Sequence, residues 1–221
     1  MKRAHAANLP PRSPEALVTG TTALLLGVGL GLRHAADADH VVVLSTLLQK
    51  EPGLRRAARI AALWGAGHTA AFLAVGLLVV LAGVRVPPRL ERAAELAVAA
   101  MLIGLGAWHL ARGARDAGPG HGGGAIARPV AAGIVHGLAG SAGVALIAAT
   151  TIGSRLWAAA YLTVFGLGTV AGMVLLTVLL SWPIGWTVRR RGRSRAWLVG
   201  ASSALSILLG AALGFEALAE G

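Results

Sequence analysis

From Ile60 to Val84 the chain reads IAALWGAGHTAAFLAVGLLVVLAGV, 25 residues without a Lys, Arg, Asp or Glu. Residues 156–188 form an uncharged stretch of 33. A bilayer core about 30 Å thick is crossed by about 20 apolar helical residues, so stretches of this kind are membrane spans before they are anything else. A spanning segment has no water to satisfy its peptide groups and must bond them internally, which selects helices. Charged residues make up 13% of the chain against roughly 25% in soluble domains. The expected fold class is an all-α integral membrane protein, multi-pass, in the inner or plasma membrane, with the lipid bilayer as its first partner.

Six apolar regions are expected as transmembrane helices: about 16–48, 60–83, 90–112, 128–152, 156–180 and 196–219. Residues 1–14 read as a flexible polar tail, and 15–221 as one transmembrane domain. Pro87 and Pro88 follow the second region, and Trp182 and Pro183 end the fifth. The Gly-rich linker 113–127 divides the domain into repeat one, about 16–112, and repeat two, about 128–219. His34 precedes Gly67 by 33 residues and His136 precedes Gly168 by 32. Two three-span units must insert in opposite senses, the inverted-repeat plan of many transporters. GxxxG spacings at Gly27/Gly31, Gly133/Gly137, Gly168/Gly172 and Gly210/Gly214 read as close helix packing, and they also admit a homo-oligomer.

The net charge of +11 does not signal nucleic acid, because nearly every Arg falls between apolar runs. The loops after the first, third and fifth regions hold twelve Lys and Arg against seven in the tail and the other loops, which favours both termini outside the cytoplasm. Cysteine is absent, which excludes disulfides, thiolate metal sites and thiol relays.

Residues 33–40, RHAADADH, interrupt the first region. One ionisable residue at a helix centre costs roughly 2.5–3.5 kcal/mol, so Arg33, Asp37 and Asp39 must face a cavity, pair or bind an ion. Imidazole suits nickel, cobalt, zinc and copper. On a regular helix His34, Asp37 and His40 share a face within about 120° and Asp39 points away. Ligation by Asp39 requires unwinding near Ala38, or a supporting role for Asp39 beside a histidine. Region 16–48 is accordingly either one broken helix or two segments.

RHAADADH resembles the signature of the nickel/cobalt transporter family, a His, four residues, then Asp-His, here His34, Asp39 and His40. The family's Gly-His-Ser/Thr element is matched by Gly67, His68 and Thr69. The resemblance implies His34, Asp39, His40 and His68 as metal ligands; helical geometry offers Asp37 as the other carboxylate, and Arg33, Thr69, His136 and Ser141 are expected to line the site. It also implies Ni2+ or Co2+ as transported ligand rather than resident cofactor. The chain departs from the family in having six spans rather than about eight. Its HGLAGSAG at 136–143 is similar to the urease-accessory membrane proteins, a branch associated with nickel delivery to urease.

His109 beside Trp108 reads as interfacial, and His121 and His5 as linker and tail. The six tryptophans, Trp64 included, are expected near span ends as interfacial anchors. An intramembrane hydrolase finds no support: His136 and Ser141, five apart, do not share a helix face, and neither a Gly-x-Ser-x-Gly elbow nor a His-Glu-x-x-His is present. The chain is therefore expected not to be an enzyme. A nickel-supplying accessory protein and an efflux protein share the same ligands and stand beside import as alternatives.

Overall fold

A computed structural model describes residues 14–48, 53–112, 126–139, 143–189 and 193–219. These form eight α-helices and no strand: α1 Pro14–His34, α2 Ala38–Leu48, α3 Leu54–Ala82, α4 Pro88–Arg112, α5 Ala127–Gly137, α6 Gly143–Thr151, α7 Arg155–Arg189 and α8 Arg193–Ala219. Residues 1–13 of the expected tail and 113–125 of the expected linker lie outside the described residues, as do Ser141, His5 and His121.

Four segments are long and apolar enough to cross a membrane alone: Leu54–Ala82, Pro88–Ala111, Arg155–Ser181 and Ala196–Ala219. The other two expected spans are each broken in two. Region 16–48 is α1 and α2 joined by a turn at Ala35–Asp37, and region 128–152 is α5 followed by α6. The protein is thus an all-helical, multi-pass membrane protein.

Two expected boundaries move. Helix α3 begins at Leu54, so Arg55, Arg56 and Arg59 belong to its first turns rather than to a loop. Helix α7 continues past Trp182 and Pro183 to Arg189. A proline removes one N–H and need not end a helix where side chains or neighbours compensate the freed carbonyls. The α3–α4 connection follows simple local rules. Gly83, at φ 66°, takes the left-handed position past the helix end, and its N–H bonds to Val79 O at 3.1 Å. Pro88 then opens α4, where its missing N–H loses nothing.

Helices α3 and α7 pack on each other at the centre. Helix α1 lies along α7, α5 along α3, and α4 along α8. Small residues make these approaches. A Cβ on Gly31 would overlap the Phe165 carbonyl oxygen, and one on Gly133 the Trp64 carbonyl oxygen. Ser206 Oγ donates to Leu102 O across α4 and α8 at 2.7 Å, and Thr69 Oγ1 donates to Gly166 O across α3 and α7 at 3.1 Å. In lipid, such contacts replace the water-driven burial that holds soluble helices together.

The outer surface is apolar, and histidines are buried within the hydrophobic core. Leu26, Leu167, Leu179, Leu208 and Phe215 are exposed, while His34, His40, His68 and His136 are buried. Apolar side chains facing outward and imidazoles facing inward fit a hydrocarbon surround with a polar centre.

Candidate metal centre

The centre is built at the α1–α2 break. Ala35 N–H still bonds to Gly31 O at 3.1 Å, one turn back along α1. The next two donors tighten by one residue: Ala36 N–H bonds to Arg33 O at 2.9 Å and Asp37 N–H to His34 O at 3.0 Å. Val41 N–H then bonds to Asp37 O at 3.0 Å and α2 is under way. The break therefore lies at Ala35–Asp37, just before the Ala38 at which unwinding was expected. Asp39 Oδ1 accepts from the His40 backbone N–H at 2.9 Å, satisfying one of the free donors of the first turn of α2. The helix dipole favours a carboxylate at that end.

The turn separates the roles of the two carboxylates. With α1 and α2 no longer one helix, the expected grouping of Asp37 with His40 and exclusion of Asp39 does not hold. Asp37, 43% exposed, sits at the edge and accepts from His34 Nδ1 at 2.8 Å. Asp39, 14% exposed, turns inward, where its Oδ2 accepts from His136 Nε2 at 2.9 Å. Its Oδ1 lies 3.2 Å from His40 Nδ1.

Four imidazoles converge from four helices: His34 from α1, His40 from α2, His68 from α3 and His136 from α5. Ring centroids are 4.6 Å apart for His34 and His40, 5.1 Å for His40 and His68, and 4.7 Å for His40 and His136. His40, fully buried, is at the middle. His34 Nε2 and His68 Nε2 are 3.4 Å apart. When a neutral His34 donates its Nδ1–H to Asp37, its Nε2 carries the lone pair that faces His68. Helix α5 delivers His136 to this point because Gly133 and Gly137 let it lie directly on the backbone of α3. A Cβ on Gly137 would meet the His68 carbonyl oxygen.

The structure thus brings together His34, Asp39, His40, His68 and His136. It does not bring Arg33, which is exposed and joined by no ion pair to Asp37 or Asp39. The Thr69 hydroxyl is spent on the α7 backbone rather than on the cluster. Trp64, expected as an interfacial anchor, is fully buried and packs at 5.3 Å from His40 and 5.5 Å from His136. Its position was legible, since residues four apart share a helix face and Trp64 precedes His68 by four. Phe165 of α7 closes the cluster behind His34 at 5.4 Å. His109 is buried near the end of α4.

Two overlapping triads could hold an ion: His34, His40 and His68, and Asp39, His40 and His136. Within each, the donor atoms lie within 4.8 Å of one another. Metal–nitrogen bonds of about 2.0–2.1 Å require donors no more than about 4.2 Å apart, so small side-chain rotations close either triad. Both ring nitrogens of His40, and Nδ1 of His68 and of His136, are buried without a hydrogen-bond partner. Buried polar atoms are ordinarily paired, and an unpaired imidazole nitrogen facing other imidazoles is available to a metal ion. The donors are nitrogen and oxygen only, a set that suits Ni2+ and Co2+.

No protein-family model matches the chain. No solved structure matches it. The chain is 28% identical over 181 residues to the urease accessory protein UreH of Bacillus sp. strain TB-90, an alignment covering 76% of this chain and 79% of that protein. Along most of its length the chain is therefore similar to a urease accessory protein, the branch that HGLAGSAG resembles.

Proposed function

We propose that this protein carries a divalent transition-metal ion, nickel first and cobalt next, across the inner or plasma membrane through the His/Asp cluster. The observation that carries the reading is the convergence of four buried imidazoles, three of them with an unpartnered nitrogen, inside an apolar bundle. His34, His40, His68 and Asp39 are the ligands, joined by His136. Asp37 holds the His34 ring so that Nε2 faces inward, a supporting carboxylate of the kind that orients metal-binding histidines.

The six-span inverted repeat belongs to the same proposal. Helices α1–α2, α3 and α4 would correspond to α5–α6, α7 and α8. Exchanging the two sets turns the α1–α7 contact into the α5–α3 contact and the α4–α8 contact into itself. His34 and His136 then stand at matching places, each at the end of the helix before a break. A site at the repeat interface, made from discontinuous helices, supports alternating access.

Radiometal accumulation in cells expressing the wild type, His34→Ala and His40→Ala tests the reading. Both substitutions should abolish the wild-type change in metal content. Higher content in the wild type means import and lower content means export. Unchanged accumulation in both variants would sink the site.

The relative's name favours a second reading, an accessory protein that supplies nickel to a metalloenzyme without moving it across the bilayer. Purified protein in sealed vesicles separates the two. Metal flux with no partner present supports the carrier, and tight binding without flux supports the accessory role.

A further inference from the structure

The two triads are not two halves of one ligand set. His34 and His68 come from α1 and α3, Asp39 and His136 from α2 and α5, and only His40 belongs to both. A neutral imidazole has one ring nitrogen protonated and one free, so it gives a single lone pair. His40 is fully buried, its Nε2 has no hydrogen-bond partner, and the one polar group near its Nδ1 is Asp39 Oδ1 at 3.2 Å, a member of the second triad. It can serve either triad but not both at once.

We propose that the centre is two alternative positions for one ion, and that translocation passes it from the His34/His40/His68 triad to the Asp39/His40/His136 triad, with His40 as the ligand retained throughout. This rests on the carrier reading above and gives it an internal step. Trp64, against His40, His68 and His136, limits where the rings can turn. The positions differ in chemistry. The first offers three neutral nitrogens, and the second replaces one nitrogen by a carboxylate oxygen, so each should stamp its own visible absorption on bound Co2+. If the helices exchange as inverted repeats, the step also exchanges the contributions of His34 and His136.

The test uses the full-length chain, purified in detergent for Co2+ binding and reconstituted in vesicles for Co2+ flux. The wild type should bind one Co2+ per chain. His34→Ala and His136→Ala should each still bind one Co2+, weakened about tenfold or less, with different absorption spectra, because each keeps one triad. Both should lose flux, and His40→Ala should lose binding by about 100-fold. Asp39→Asn, which keeps the size of the side chain, should follow His136→Ala. A variant that fails to elute as the wild type does is replaced by the His→Gln change, and retained Co2+ binding reports its folding directly.

Two Co2+ per chain would overturn the shared position. Loss of binding in His34→Ala and His136→Ala equal to that in His40→Ala would mean one large site, and would overturn it too. Full flux in His136→Ala would leave the second triad without a part and would also overturn it. A wild type that neither binds nor moves Co2+ instead defeats the carrier reading itself.

Discussion

The two broken helices meet at the same place and are chemically unequal. The α1–α2 turn supplies His34, Asp37, Asp39 and His40, whereas among the described residues the end of α5 supplies His136. Each partner helix is approached through glycine: α7 by Gly27 and Gly31 of α1, α3 by Gly133 and Gly137 of α5. The backbone architecture is therefore shared between the two breaks and the ligand chemistry is not. Close packing positions a broken helix, and that requirement is separable from what the break carries.

Trp64 stands between the two regions, and removing it should have the largest effect. Trp64→Ala leaves a cavity among His40, His68 and His136 and should destabilise the fold by about 3–5 kcal/mol, read as thermal unfolding in detergent. A loss under about 1 kcal/mol would mean that the two regions are held apart by something else. Asp39→Asn is next. It removes the carboxylate linking the regions and should abolish Co2+ flux while weakening binding about tenfold or less, whereas Asp37→Asn, at the edge, should reduce flux only about tenfold. An effect of Asp37→Asn larger than that of Asp39→Asn would reverse the assigned roles.

The glycines give a smaller and symmetrical effect. Gly31→Ala and Gly137→Ala should each destabilise by about 1–3 kcal/mol, because the added methyl meets backbone that no rotamer change can move. Gly29→Ala and Gly104→Ala, where nothing lies within 4 Å, should be neutral or slightly stabilising. The gentlest probe is pH. Imidazole binds metal only when neutral, so Co2+ affinity should fall at acid pH as the donors take up protons. A flat profile would mean that the nitrogens are not the donors.

The site was legible as far as its residues are neighbours in sequence. His34, Asp39 and His40 form one string in an apolar setting, and His68 follows at the position its Gly-His-Thr context implies. The Asp39–His136 pair was not legible, because 97 residues separate the two and no local pattern encodes which helix faces which. The breaks were only half visible. No proline or glycine marks Ala35–Asp37, and the contacts that accompany the turn, Asp37 with His34 and Asp39 with His136, include one that is remote in sequence. Trp64 was misread because tryptophan in a membrane helix is usually interfacial, and here contact with three histidines overrides that preference. The four long helices were read correctly because their signal is length and apolarity alone, and these survive any tertiary arrangement.

The four central imidazoles are at most 5% exposed. A pore conducts through a path that stands open, whereas these buried donors fit a carrier that opens to one side at a time. Each ion would wait for helices to part, a motion of microseconds to milliseconds rather than of free diffusion. Throughput should therefore saturate as metal concentration rises, with a ceiling set by the protein's own opening rate, and the bilayer should show no measurable single-channel current.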